Sequence, residues 1–183
     1  MQEQVKIVVY HARQCDPKKC TALKLKRHGL VRLVHQMKFL PKRAVVLNPF
    51  SQIAFSPADR QRIEGFGLAA LDCSWEHAEE VLIKHARGTS RCLPFLIAGN
   101  PVNFGKPTKL TTVEALVAAL YIARFNEEAA KLLSIFSWGH TFLEINHERL
   151  ENYAKAKNST EIIKLQKCFM NKIEKHETRR EDR

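Results

Sequence analysis

The chain has 183 residues, 45% hydrophobic and 27% charged, a balance that fits a globular domain and excludes a low-complexity or collagen-like chain. No apolar run reaches the roughly 20 residues of a membrane helix, and Val5–Tyr10 is too short for a signal-peptide core, so an intracellular, cytoplasmic protein with no membrane partner is expected. The net charge is +11, and its excess is one-sided: residues 1–43 hold 11 Lys and Arg against Glu3 and Asp16, and no acid lies between Asp16 and Asp59. Such a basic block is the electrostatic footprint of a polyphosphate partner, nucleic acid above all.

Val5–Tyr10 (VKIVVY) is β-branched and apolar and reads as a buried strand. Lys18 to His28 is a basic, helix-compatible stretch with Leu23 and Leu25 as its apolar contacts, and Gly29 to Pro41 is ambiguous. Arg43–Leu47 (RAVVL) reads as a second strand, stopped by Asn48-Pro49. Ser56-Pro57-Ala58-Asp59 opens a short helix, with Ser56 as cap and Pro57 at the first helical position, and Gly65 and Gly67 end it. Leu68–Cys73 is a third strand, after which Ser74 caps a helix from Trp75 to Ala86. Cys92–Ala98 (CLPFLIA) reads as a fourth strand, stopped by Gly99-Asn100-Pro101. Thr111 and Glu114 are spaced as a capping box ahead of Val113–Phe125, a helix apolar nearly all round and so buried. Glu127–Phe136, Thr141–Lys155 and Thr160–His176 are further helices, and Glu177–Arg183 forms a charged, frayed tail.

Short strands alternating with helices indicate an α/β class with a mainly parallel sheet flanked by helices. The boundaries expected are a basic strand–helix region over 1–43, a cofactor-binding and helical region over 44–176, and a tail over 177–183. In such sheets ligands bind beyond the carboxyl ends of the strands. Three strand ends here are unusual: Leu47-Asn48-Pro49, Asp72-Cys73-Ser74-Trp75 and Ala98-Gly99-Asn100-Pro101. Neither GxGxxG nor GxxxxGK[ST] occurs, so a conventional dinucleotide or P-loop site is not supported. The five cysteines, Cys15, Cys20, Cys73, Cys92 and Cys168, are scattered and lack the paired spacing of a zinc site.

At these strand ends the sequence resembles the ribosome-biogenesis aminocarboxypropyltransferases of small-subunit rRNA. The segments that carry the resemblance are Asp16–Thr21 (DPKKCT), Leu47–Gln52 (LNPFSQ), Asp72–Trp75 (DCSW), Pro94–Gly105 (PFLIAGNPVNFG), Lys109–Ala115 (KLTTVEA) and Trp138–Asn146 (WGHTFLEIN). They occur in family order over most of the chain. The resemblance implies a fold similar to the SPOUT class of RNA methyltransferases, with a deep trefoil knot, S-adenosyl-L-methionine as cofactor, and small-subunit rRNA or its precursor particle as partner. It implies a monomer. The family's N-terminal part is likened to a metal-binding module, but with only Cys15 and Cys20 there no metal is expected.

The reaction implied is transfer of the 3-amino-3-carboxypropyl group to N3 of a pseudouridine, already methylated at N1. Leu47 and Pro49 are then expected to face the adenine. Trp75 and Ala78 are expected to wrap the methyl group, a tryptophan face attracting the sulfonium cation. Pro94–Gly99, including Leu96, Ile97 and Gly99, is expected to offer main-chain groups to the adenine edge. Leu110, Thr111 and Thr112 form a third wall, with N–H groups at the helix start for the amino-acid carboxylate, and Thr21 reaches in from the N-terminal helix. Asp72 is the one carboxylate of the set and is expected to act as base or substrate orienter. His140 in Trp138–Thr141 is a second proton-transfer candidate, set against a plain helix-start motif. RNA is expected on Lys18, Lys19, Lys24, Lys26, Arg27, Arg32, Lys38, Lys42 and Arg43, which position phosphates without reading sequence. A SPOUT-type RNA methyltransferase and a non-catalytic pre-rRNA-binding assembly factor are the alternatives.

Overall fold

The computed structural model describes residues 4–14, 16–73 and 88–181, with side chains described through residue 172. The described strands are β1 (Ile7–His11), β2 (Arg32–Val34), β3 (Val45–Leu47), β4 (Leu68–Asp72) and β5 (Thr89–Arg91). They form one sheet in the order β2-β1-β4-β3-β5, with every pairing parallel. The described helices are α1 (Thr21–Arg27), α2 (Arg60–Phe66), α3 (Thr112–Ile122), α4 (Asn126–Leu133), α5 (Gly139–Lys155) and α6 (Ser159–Glu181). The α/β class and the parallel sheet expected from the sequence are both present. None of the helices is long and apolar enough to cross a membrane.

Strand alternation sorts the core into two sides. Ile7, Val9, Val45, Leu47, Leu68 and Ala70 face the larger core with α1 and α3, whereas Val8, Val34, Val46 and Ala69 face a smaller one with Met37, Leu40 and Ala44. Helix α3 runs through the larger core and buries Val113, Leu116, Val117, Ala118, Ala119, Leu120 and Ile122. Its apolar circumference fits that position, because a helix covered on all sides needs no polar face.

The ambiguous stretch 29–41 resolves into β2 and a single 3₁₀ turn over Met37–Phe39. The basic helix is shorter than expected, starting only at Thr21, because Asp16 holds a turn before it: its carbonyl accepts Lys19 and Cys20 N–H at 3.0 Å, and its carboxylate accepts Lys18 N–H at 2.9 Å. Ser56 and Asp59 do cap a helix start, but the first turn is 3₁₀ and Gly65 lies inside α2. Gly67 ends the helix at φ +88°, where a Cβ would collide with the Lys6 carbonyl oxygen. The last helix continues to Glu181, beyond the tail boundary expected at 177. The expected helix Trp75–Ala86 lies outside the described residues.

Cys92–Ala98 is not a strand, and the correction has a physical cause. The short β5 precedes it, Cys92 makes a single parallel bridge to Ala54, and Pro94 has no N–H to give a ladder. Beyond Pro94 the backbone bonds to helix side chains and, through an isolated antiparallel bridge between Ile97 and Pro107, to the segment that precedes α3. Phe95 N–H donates to Gln166 Oε1 at 2.9 Å, and Tyr153 O–H donates to the Phe95 carbonyl at 3.1 Å. Asn146, wholly buried, accepts Ile97 N–H at 2.9 Å and donates to the Ile97 carbonyl at 2.7 Å. A segment buried under helices is as apolar as a central strand, so periodicity cannot separate the two. Gly99 completes the contact with α5: a Cβ there would lie 2.6 Å from Phe142 Cα.

Candidate functional site

A cleft of about 520 Å³ opens beyond the carboxyl ends of the strands, where a parallel sheet places its ligands. Leu47, Asn48 and Pro49 line it after β3, Ala70 to Cys73 at the end of β4, and Cys92 to Pro94 after β5. Lys19, Cys20 and Thr21 approach from the start of α1, and Thr108, Leu110 to Thr112 and Ala115 from the start of α3. An apolar slot is thus flanked by hydroxyls on one side and a carboxylate on another, within the size range of small-molecule sites.

The sheet register builds the carboxylate end. His11 is the Cα partner of Asp72 across β1 and β4, and α1 begins with Cys20 over the same strand ends. Cys20 S–H donates to Asp72 Oδ2 at 3.2 Å, with His11 Nε2 at 3.5 Å from the sulfur and 3.7 Å from Oδ2. His11 and Cys20 are buried, and Asp72 is partly open to the cleft. The three atoms are close enough to hold a metal ion, yet their bonds to one another account for the arrangement. Their effect is to fix the direction of the Asp72 carboxylate. Beside it, burial and the Asp72 charge push the Cys73 thiol up from its ordinary value. Burial also pushes up the Cys92 thiol on the facing wall. Both therefore stay protonated and weakly nucleophilic at neutral pH.

The hydroxyl end is locked by α3. Thr111 Oγ1 accepts Glu114 N–H at 3.4 Å and donates to Glu114 Oε2 at 2.8 Å. Thr21 Oγ1 accepts Val113 N–H, also at 3.4 Å, tying α1 to the start of α3. Two of the N–H groups at the start of α3, those of Val113 and Glu114, therefore already have hydroxyl partners, at long distances.

The cleft brings together Thr21, Leu47, Pro49, Asp72, Leu110, Thr111 and Thr112. Leu96, Ile97 and Gly99 are not on its wall. Leu96 is wholly buried, and the main chain around it is occupied: Thr108 N–H bonds the Leu96 carbonyl, Asn146 holds Ile97 at both groups, and Gly99 N–H donates to Glu114 Oε1 at 2.7 Å. Leu93 and Pro94, just before them, take that wall. Trp75 and Ala78 lie outside the described residues. His140 is exposed and off the cleft, and Trp138 packs on Phe136 at 5.3 Å between ring centroids, so that cluster reads as a helix start. Lys18, Lys19, Lys26, Arg27, Arg32, Lys38, Lys42 and Arg43 are exposed. Lys24 is half-buried with its ammonium 4.7 Å from the Phe136 ring centre, and Arg43 stacks at 3.8 Å on Phe66, so these two also serve the fold. His11 and Cys20 are the additions of most consequence. Cys20 sat within the motif DPKKCT, but no sequence spacing links it to His11 or Asp72.

A family described as "Ribosome biogenesis protein, C-terminal" matches residues 45–170. Residues 5–38 match a "Possible Fer4-like domain in RNase L inhibitor, RLI". A four-iron cluster takes four cysteine thiolates, and this segment contains only Cys15 and Cys20, so the donor set does not fit one. The 16S rRNA aminocarboxypropyltransferase of Methanocaldococcus jannaschii is 47% identical over 167 residues, 91% of this chain and 97% of that protein. The enzyme of the same name from Methanothermobacter thermautotrophicus is 49% identical over 168 residues, 91% of this chain and 99% of that one. Among solved structures, the SAM-dependent rRNA:acp-transferase Tsr3 from Vulcanisaeta distributa superposes with a TM-score of 0.79 at 38% identity, covering 91% of this chain and 98% of that one.

Proposed function

The chain belongs to the ribosome-biogenesis family of 16S rRNA aminocarboxypropyltransferases, and we infer that it transfers the 3-amino-3-carboxypropyl group of S-adenosylmethionine to small-subunit rRNA. The observation that carries this reading is identity of 47–49% along nine-tenths of the chain to enzymes of that name, in a molecule whose cleft gathers the matching strand ends.

The cleft suits S-adenosylmethionine in volume and in chemistry: Leu47, Pro49, Leu93, Pro94 and Leu110 offer an apolar slot for adenine, and Thr21, Thr111 and Thr112 offer hydroxyls for ribose or the amino-acid arm. When bound, the cofactor would supply an electrophilic carbon on a positively charged sulfur, and the carbon–sulfur bond that breaks would release the neutral thioether methylthioadenosine. The chain's own task is to bind, orient and exclude water, and orientation alone is worth a large part of such a rate. Trp75 and Ala78 are assigned to the methyl side on the sequence resemblance alone. They would shield that carbon and leave the propyl carbon toward the RNA.

In this reading Asp72 takes the proton from N3 of the acceptor pseudouridine, a role supported by its place on the cleft wall and by the Cys20 and His11 contacts to its carboxylate. The exposed lysines and arginines of residues 18–43 hold the RNA backbone. A SPOUT-like trefoil knot belongs to the same proposal. What supports it is the sequence resemblance, with which the all-parallel sheet agrees. A monomer acting in the cytoplasm completes the reading.

Mass spectrometry of rRNA nucleosides from cells lacking the gene tests it. One hypermodified uridine derivative disappears from small-subunit rRNA and returns with the wild-type gene. An unchanged nucleoside profile contradicts the function.

A further inference from the structure

The segment between Gly99 and Lys109 connects two cleft walls and carries an unusual surface. Val102 and Phe104 are the most exposed large hydrophobic side chains among the described residues, at 71% and 62%. Isolated exposed hydrophobics are ordinary, but this pair stands on a loop that is held rigid from beneath. The Asn100 side chain, 1% exposed, accepts Val102 and Asn103 N–H at 3.2 and 2.9 Å and donates to the buried Glu114 carboxylate at 2.7 Å. The loop base is closed by Gly105 N–H to the Ala98 carbonyl at 2.8 Å and by Ala98 N–H to the Lys106 carbonyl at 3.0 Å. A buried carboxylate and a buried amide thus keep an aromatic ring out in solvent, where a slack loop would fold it onto the surface.

The charge around the ring selects its partner. Lys106 and Lys109 are exposed on the same loop, and no acid occurs between Glu80 and Glu114. An aromatic ring flanked by lysines on a rigid loop matches single-stranded RNA, whose unstacked bases lie on aromatic faces while lysines meet the phosphates. A lysine-bearing rim of this kind gives no complement to a basic protein surface.

We propose that the 99–109 loop is a second RNA contact, separate from the basic face of residues 18–43, in which Phe104 stacks on an unpaired base of the rRNA near the acceptor and Lys106 and Lys109 hold its phosphates. This rests on rRNA being the substrate. Phe104 is a positioning residue: it grips the strand that delivers the acceptor and touches neither the cofactor nor the reacting atoms. The loop also leads into Thr108 and Leu110 on the cleft wall, so an RNA held there is held at the mouth of the site.

The test uses the full chain, cofactor labelled on the carboxyl carbon, and two substrates: small subunits from cells lacking the gene, and the protein-free 16S rRNA extracted from them. Phe104→Ala raises KM for both RNAs by about 5- to 140-fold, the fold-change expected for loss of one stacked base. Phe104→Leu, apolar but without a ring face, behaves like Phe104→Ala, while Phe104→Tyr recovers RNA affinity. Lys106→Ala with Lys109→Ala weakens RNA binding and lowers its salt dependence. Cofactor affinity by calorimetry stays at the wild-type value throughout. An RNA KM within twofold of wild type for Phe104→Ala, or a fully active Phe104→Leu, overturns the stacking role. A defect confined to intact subunits and absent with bare rRNA assigns the loop to a ribosomal protein and overturns it equally. Failure of the wild-type chain to label RNA would instead overturn the function itself.

Discussion

Replacing Glu114 by glutamine tests how the cleft wall is held. Glu114 is wholly buried on the first turn of α3. Its Oε1 accepts Gly99 N–H at 2.7 Å, and its Oε2 accepts Asn100 Nδ2, Thr111 N–H and Thr111 Oγ1–H at 2.7, 2.7 and 2.8 Å. Glutamine keeps the shape but exchanges one acceptor oxygen for a donor. With its oxygen on the three-donor side, its amide nitrogen faces Gly99 N–H, and a buried donor left without an acceptor costs about 1–3 kcal/mol. The remaining bonds lose their charge assistance, which roughly doubles the strength of such bonds, while the neutral amide is cheaper to bury. The balance is a loss of about 2–4 kcal/mol. Urea unfolding of Glu114→Gln beside wild type measures it, and calorimetry should show a melting temperature lower by roughly 5–15 °C for a domain of this size. Because Thr111 makes two of the four bonds, cofactor affinity falls too. A stability loss below about 1 kcal/mol with unchanged cofactor affinity refutes the reasoning.

Gly99→Ala forces a Cβ to within 2.6 Å of Phe142 backbone; it destabilises the chain by at least about 3 kcal/mol, the upper range for overpacking, and a loss under 1 kcal/mol by urea titration would contradict that close approach. Burial and the neighbouring Glu151 carboxylate push the Tyr121 phenol up from 10.0 to about 12, and its hydroxyl, 2.5 Å from Oε1, holds Glu151 below the usual carboxylate range. A group with its folded value raised gives stability that is complete below its unfolded value and lost as pH rises through the folded one. Tyr121→Phe therefore flattens the fall in urea midpoint between pH 10 and pH 12, and an unchanged alkaline slope would contradict the pairing. Cys73 and Cys92, both held protonated by burial, are alkylated by iodoacetamide at pH 7.5 more slowly than exposed Cys168; peptide mapping that finds them as fast or faster goes against this environment.

How much of this was legible in the sequence depends on the physics of each segment. The β-branched apolar run Val5–Tyr10 and the spacing of Thr111 and Glu114 are local signals, and β1 and the capped α3 stand close to where those signals put them. The strand ends that form the cleft were marked by Pro, Asn and Asp, residues that resist continuing a strand. The run Cys92–Ala98 was misread because burial beneath helices and burial within a sheet demand the same composition. Of the residues assigned to the cofactor, Leu96 bonds with Thr108, Ile97 with Asn146 of α5 and Gly99 with Glu114, while Leu93 and Pro94 line the cleft. The His11–Cys20–Asp72 group depends on strand register across 61 residues of chain, which no spacing rule reports.

The central claim concerns which carbon of the cofactor reaches the RNA. Purified protein, small subunits from cells lacking the gene, and S-adenosylmethionine labelled in separate reactions on the methyl and on the carboxyl carbon decide it. Carboxyl label enters 16S rRNA and methyl label does not. Methyl label alone in the RNA contradicts the account.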